Sequence, residues 1–352
     1  MHPHPRTPRT ALAALTAALA AAACLTATGP ASAAPSATAP GGPARHACSP
    51  SVSLTGFSDA LDKTVFEGTY AGNFSALAAD GRRTVAALSD RSALFELDAD
   101  TLAPRSVVPL ADESGAALDA EGLAVDRDGT YLVSSETEPS VRRYSRTGAI
   151  LDRLPVPEAL RTAPAGRARA NGSFEGLTLL PGGRTLIAAM EYALTGDDQR
   201  LVRFPTWQRA GNGTWRPGAQ YAYPVDAGLG VPEVTALPDG RLLVLERGFT
   251  SGTGNTVRLY LADARRATDV SGTAALTPDG VRTVSKRLLA DLVDCPSLGA
   301  TAKQPQPNPL LDNIEGMAVT GHGPGGLRVL LVSDDNQSAA QTTRFLRLRV
   351  RP

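Results

Sequence analysis

One hairpin unit recurs five times along this chain, and that recurrence leaves few folds open. It reads Glu-Gly-Leu-Ala-Val at 121–125, Asp128-Gly129, then an apolar run ending in Glu136. It returns as Glu-Gly-Leu-Thr-Leu at 175–179 with Gly182-Gly183 and a run ending in Glu191, and as Glu-Val-Thr-Ala-Leu at 233–237 with Asp239-Gly240 and a run ending in Glu246. Glu-Gly-Met-Ala-Val at 315–319 is followed by a Gly-rich turn and a run ending in Asp334. A weaker copy, Ser-Ala-Leu-Ala-Ala at 75–79, has Asp80-Gly81 and closes on Asp90. An apolar run, a Gly turn and a second apolar run make a β-hairpin. The starts lie 46, 54, 58 and 82 residues apart, and all but the last spacing match a four-stranded propeller blade.

Two more strand-like runs follow each hairpin, for example 141–144 and 150–154, or 201–204 and 220–224. The expected fold is therefore an all-β propeller with five four-stranded repeats counted, the 82-residue gap leaving room for a sixth blade or an insertion. Residues 290–311, with four Pro, read as an excursion. The last copy keeps one obvious following strand, 344–350, so residues 52–57 are expected to join that blade and close the ring, which removes exposed sheet edges. With 34 Gly and 27 Pro among 352 residues, long helices have little room. Leu123, Val125, Leu177, Leu179, Leu237, Met317 and Val319, spaced at period two behind each acid, are the expected core.

The N-terminus carries Arg6 and Arg9, an Ala-rich apolar run and Ala31-Ser32-Ala33, the three-part pattern of an export signal over residues 1–33. Residues 34–47 read as a flexible leader and 48–352 as the propeller domain, secreted as a monomer. A lipoprotein anchored at Cys24 is the alternative. Removing residues 1–33 leaves 33 basic against 35 acidic residues. That balance supplies no electrostatic footprint for nucleic acid, and no transmembrane span is expected. Cys48 and Cys295 are then the two remaining cysteines; an oxidising compartment favours a disulfide between them, with two buried thiols as the alternative.

The acids at the hairpin ends carry the functional signal. A two-residue turn at Asp128-Gly129 puts Glu121 opposite Glu136, and one at Asp239-Gly240 puts Glu233 opposite Glu246. Comparable turns put Glu175 opposite Glu191 and Glu315 opposite Asp334. Ser75 falls opposite Asp90. Like charges facing across a ladder are destabilising, so four such pairs call for a counter-charge or raised pKa values. Arg91 and Arg247 are the nearby cations. Ca²⁺ is the other candidate, with Glu121, Glu175, Glu315, Asp90 and Asp334 as expected ligands at one channel mouth, since it takes hard oxygen donors at this density. A structural role, with each Glu capping backbone N–H groups or locking blades through Arg, stays open. Beyond the signal, only His46 and His322 are present, which leaves almost no material for a Ser-His-Asp triad or a His-rich zinc site.

Phe174-Glu175-Gly176-Leu177 with Met190-Glu191, Glu121-Gly122-Leu123 with Ser135-Glu136, Ser89-Asp90-Arg91, and Asn313-Ile314-Glu315-Gly316-Met317 through Ser333-Asp334-Asp335-Asn336 together resemble a secreted bacterial family called phytase-like, or esterase-like activity of phytase. The resemblance spans roughly residues 50–350. It implies a propeller fold and a hydrolase acting on phosphate or carboxylic esters, without assigning catalytic residues. The Arg-His-Gly element of histidine acid phosphatases is absent. A non-catalytic propeller that binds a glycan, peptide or envelope partner at the channel mouth is the second reading.

Overall fold

A computed structural model describes residues 46–352. The export signal and nearly all of the leader lie outside the described residues. His46 and Ala47, expected to end the flexible leader, are tied to the first strand instead: Ala47 bridges Ser53, and the His46 carbonyl accepts from Leu54 N at 2.8 Å.

Strand β1 (Val52–Ser58) and a small hairpin of β2 (Val65–Phe66) and β3 (Thr69–Tyr70) precede the repeats. The first blade is β4 (Phe74–Ala79), β5 (Thr84–Ser89), β6 (Ala93–Asp98) and β7 (Pro104–Pro109). The second is β8 (Ala120–Val125), β9 (Tyr131–Ser135), β10 (Ser140–Tyr144) and β11 (Ile150–Leu154). The third is β12 (Phe174–Leu179), β13 (Thr185–Met190), β14 (Leu201–Arg209) and β15 (Trp215–Pro224). The fourth is β16 (Gly230–Ala236), β17 (Leu242–Thr250), β18 (Gly254–Asp263) and β19 (Ser285–Asp291). The fifth combines β20 (Ile314–Gly323), β21 (Gly326–Ser333) and β22 (Phe345–Val350) with β1, which pairs antiparallel to β22 as the outermost strand. The described residues thus form five blades. The extra length between the fourth and fifth copies goes into the β18–β19 connection and into residues 292–313, so the room left for a sixth blade holds loops.

Strands β4, β8, β12, β16 and β20 are the inner strand of each blade and pack on one another in that order around the axis. The core lies in layers between blades. Phe74 and Phe95 meet Val332 and Phe345 between the first and fifth blades, and Leu243 and Leu245 meet Met317 and Leu331 between the fourth and fifth. Leu123, Leu177, Leu237 and Met317 are buried as expected. Val125, Leu179 and Val319 are half-buried, because they line the channel at the end away from the acids.

The glycine of the Glu-Gly pair has a packing reason. A Cβ at Gly122 would collide with the Glu175 carbonyl and lie 2.5 Å from Ser134 Oγ; at Gly176 it would lie 2.5 Å from Val234 N, and at Gly316 2.7 Å from Val332 Cγ1. Inner strands therefore approach with nothing between them. Gly122→Ala is expected to destabilise the fold by about 1–3 kcal/mol, since overpacking forces backbone shifts; denaturant unfolding measures it.

Cys48 and Cys295 form a disulfide. Cys48 precedes β1 and Cys295 follows β19, so the bond ties the closing strand to the fourth blade. Intact mass before and after reduction is expected to differ by one disulfide. Reduction is expected to lower the melting temperature, since closing so long a loop contributes about 5 kcal/mol in the chain-entropy picture.

Candidate active site at the acidic channel mouth

The hairpin turns are one residue longer than the two-residue reading. Asp126 N donates to Thr130 O at 2.8 Å and Gly129 N to Asp126 O at 2.9 Å, so residues 127–129 form the loop with Gly129 in the left-handed region at φ 81°. Residues 238–240 do the same between Leu237 and Arg241. The register then shifts a second time. Each inner strand carries a bulge near its start: between Phe74 and Ala76, Ala120 and Leu123, Phe174 and Leu177, Gly230 and Glu233, and Ile314 and Gly316. A bulge bends its strand and re-aims a side chain.

The expected face-to-face acid pairs are therefore corrected. Glu136 N bonds to Asp119 O at 2.9 Å, Glu191 N to Ser173 O at 2.8 Å, Asp334 N to Asn313 O at 2.9 Å and Asp90 N to Asn73 O at 3.0 Å. Ser75, Glu121, Glu175 and Glu315 sit at the bulges rather than opposite those acids. In the fourth blade Glu233 pairs with Leu245, and Gly230 pairs with Arg247. Arg247 thus holds the place taken by Asp90, Glu136, Glu191 and Asp334 in the other blades, and the bulge falls on Val231 and Pro232.

Glu233 and Glu246 consequently leave the ring. Glu233 is fully buried among the inner strands, where Oε1 accepts from Val234 N at 2.8 Å; this is the capping role left open above. Glu246 accepts from Tyr223 Oη at 2.7 Å and Asp226 N at 2.9 Å and pairs with Lys286. Arg91 is a rim residue, its side chain 65% exposed and its Nε 3.5 Å from Asp90 Oδ1.

The remaining acids converge. Asp90, Asp119, Glu121, Glu136, Glu175, Glu191, Glu315 and Asp334 line one cavity of about 350 Å³ with Arg247 as its single cationic side chain. Asp119, Asn171 and Tyr192 were not singled out from the sequence, and Asn313 and Asn336 entered only within a family motif. The signal for two of them was there: Asp119 and Asn313 stand two residues before the bulge acids Glu121 and Glu315. Arg247 Nη2 lies 2.6 Å from Glu315 Oε1 and 3.4 Å from Glu191 Oε1. Asn313 Nδ2 donates to Glu315 at 2.9 Å, Asn336 N to Asp334 at 2.8 Å, and Ser173 N to Glu136. Glu175 Oε2, Asp90 Oδ1 and Ser75 Oγ are buried with no hydrogen-bond partner.

Loss of water raises the proton affinity of Asp90, Glu121, Glu136, Glu175, Glu191, Glu315 and Asp334. Burial, then the charge of Glu191, lifts Glu136 to about 7. Burial lifts Asp90 to about 6 against the pull of Arg91. Burial first, then neighbouring carboxylates, drives Glu121 and Glu175 well above the usual range. Glu315 and Glu191 also rise through burial, opposed by Arg247.

Two groups of carboxylates are close enough to share a cation. Ligand oxygens of Asp119, Glu121 and Glu136, and those of Glu136, Glu175 and Glu191, lie within 4.8 Å of one another in each group. Two oxygens bound to one Ca²⁺ at about 2.3–2.6 Å are at most about 5 Å apart, so both groups fit, and the partnerless Glu175 Oε2 is a free donor atom. Of the expected ligands, Glu121 and Glu175 belong to these groups. Glu315, Asp334 and Asp90 line the same cavity outside them, Glu315 being engaged by Arg247.

Among solved structures, the chain aligns with a PQQ-bound aldose sugar dehydrogenase of Streptomyces coelicolor at 13% identity and TM-score 0.41, over 87% of this chain and 100% of that one. It aligns with a glutaminyl cyclase of Myxococcus xanthus at 16% identity and TM-score 0.40, over 80% and 92%. An uncharacterized secreted protein of Arthroderma benhamiae is 28% identical over 112 residues, which cover 25% of this chain and 22% of that protein. The chain spans about a fifth of the length of that relative. Residues 69–337, which hold every carboxylate of the cavity, match the family described as "Phytase-like: Esterase-like activity of phytase", and the chain belongs to that family.

Proposed function

We propose that the protein is an exported hydrolase of phosphate or carboxylic esters that works at the acidic mouth with Ca²⁺ or a similar divalent cation. The observation that carries this reading is the convergence of eight carboxylates and one arginine on a single cavity, in a chain whose family is described by esterase-like activity. The export pattern of residues 1–33, the disulfide and the secreted relative support export.

Glu121, Glu136, Glu175, Glu191 and Asp119 are the residues that would hold the cation. When bound, it would offset the charge of an anionic substrate and make water a better nucleophile. Asp90, outside the two ligand groups and with a pKa near 6, holds or releases a proton close to neutrality and suits general acid–base work on water or leaving group. Arg247 holds Glu191 and Glu315 in place. Neither His46 nor His322 lines the cavity, so a carboxylate is the base this site offers.

Calorimetric titration of chelator-treated protein with Ca²⁺ is expected to give saturable heat and added stability, on the order of 3 kcal/mol at a hundredfold excess over Kd. Glu175→Gln is expected to weaken both and to lower Ca²⁺-dependent turnover of phosphate and carboxylic ester substrates. No response to Ca²⁺ in the parent, no effect of Glu175→Gln and strong destabilisation by Arg247→Ala would leave the acids a purely structural, Arg-locked role.

The metal-free protein carries its own pH signature. Asp90 and Glu136 bind protons more tightly folded than unfolded, so their contribution is complete below about pH 4 and is lost as pH rises through 6 to 7. Carboxylates with depressed values, such as Asp226 at about 2, lose theirs on the acid side of that window. The melting temperature of chelated protein is expected to fall between about pH 5 and pH 8, and saturating Ca²⁺ is expected to flatten that slope.

A further inference from the structure

On the face opposite the acidic mouth, arginines gather in a groove between the fifth and first blades. Glu315 and Asp334 mark one end of the β20–β21 hairpin, and its turn marks the other. Beside that turn Arg328 of β21 pairs directly with Arg349 of β22. Arg347 lies two residues along β22 on the same side of the sheet, and Arg82 arrives from the β4–β5 turn of the first blade. All four line a cavity of about 150 Å³.

Like charges directly across a ladder are destabilising, and here water alone screens the exposed Arg328. None of the four arginines forms an ion pair among the described residues. Asp100, which also lines the groove, accepts through its carbonyl from Arg347 Nη2 at 2.7 Å, and the Ala99 carbonyl accepts from Arg347 Nη1 at 3.1 Å. Arg349 Nη1 is buried without a hydrogen-bond partner. The hairpin makes room for both guanidinium groups through glycine. A Cβ at Gly321 would strike the Arg328 guanidinium, and one at Gly323 would lie 3.3 Å from Arg349 Nη1.

We propose that this groove binds a phosphate group. Guanidinium forks match phosphate oxygens with charge-assisted bonds. Donors reaching in from β21, β22 and the neighbouring blade suit a tetrahedral anion, whereas a planar carboxylate is satisfied by a single fork. A phosphate group between Arg328 and Arg349 removes the repulsion across the ladder and supplies the missing acceptor for Arg349. Free phosphate and a phosphate carried on a polymer offer the same chemistry. The proposal stands independently of what the acidic mouth hydrolyses.

The test uses chelator-treated protein, with ionic strength held constant by sodium chloride. Sodium phosphate and a polyphosphate chain are titrated separately, with melting temperature and heat as readouts. Phosphate is expected to raise the melting temperature saturably where chloride does not. Arg328→Gln combined with Arg349→Gln is expected to bind at least about tenfold more weakly, while melting no lower than the parent in chloride because a like-charge pair has gone. Tighter binding of polyphosphate assigns the site to a phosphate-bearing polymer, and equal affinity per phosphate assigns it to the free ion. A phosphate response no larger than that of chloride, or one undiminished in the double variant, overturns the proposal.

Discussion

Five inner strands pack around one axis, three of them through a glycine set against the backbone of the next blade, and the rest of the molecule is arranged to permit it. Where Gly122, Gly176 and Gly316 face a neighbouring blade there is no space for even one carbon. Close-packed interiors tolerate no such overlap, so the adjoining residue takes the only open direction, toward the channel. The bulge at the start of each inner strand completes this by turning Ser75, Glu121, Glu175 and Glu315 to the same mouth. A packing rule thus becomes a ring of polar side chains around one cavity. One local sequence pattern serves both purposes, since Glu-Gly encodes the side chain and the approach together.

Concentrating carboxyls in this way is energetically unfavourable by itself. Burial removes the water that would screen them, and each raises the proton affinity of the next. Three devices offset it. Backbone and amide donors reach Glu136, Glu315 and Asp334. Arg247 stands in for the acid that the fourth blade would otherwise contribute. Burial favours the neutral form of Glu121, Glu175 and Asp334. What these devices leave uncovered, Glu175 Oε2 above all, is the part of the site with capacity for a ligand.

Much of the architecture was legible because strands, turns and their order are written locally. Period-two apolar runs and Gly-centred turns mark blades wherever they occur, and the partnership of β1 with β22 follows from one blade being a strand short. Register was less legible. Reading Asp128-Gly129 and Asp239-Gly240 as whole turns missed the extra residue that a left-handed glycine closes, and bulges leave little trace in letters. Matching copies by their Glu therefore put Glu233 and Glu246 in the ring. Matching them by the turn puts Pro232 and Arg247 there. Arg247, read from the sequence as a nearby counter-charge, thus holds the ring position itself. Asp119 was missed for the related reason that the bulge, and not the ladder, decides which residues meet.

Closure of the ring sets an order of events. Strand β1 is made before the other described strands, and β22, its partner, after them. Until then β1 has no ladder to join, and the fifth blade cannot be completed without it. Contacts that bridge so much sequence form late and slowly. Meanwhile an apolar, unpaired strand is a template for pairing with another chain. Glu315 and Asp334 lie on the hairpin that pairs with β22, so the last acids of the mouth come from the last blade to be made. The joint between β1 and β22 thereby closes the same blade that completes the acidic mouth.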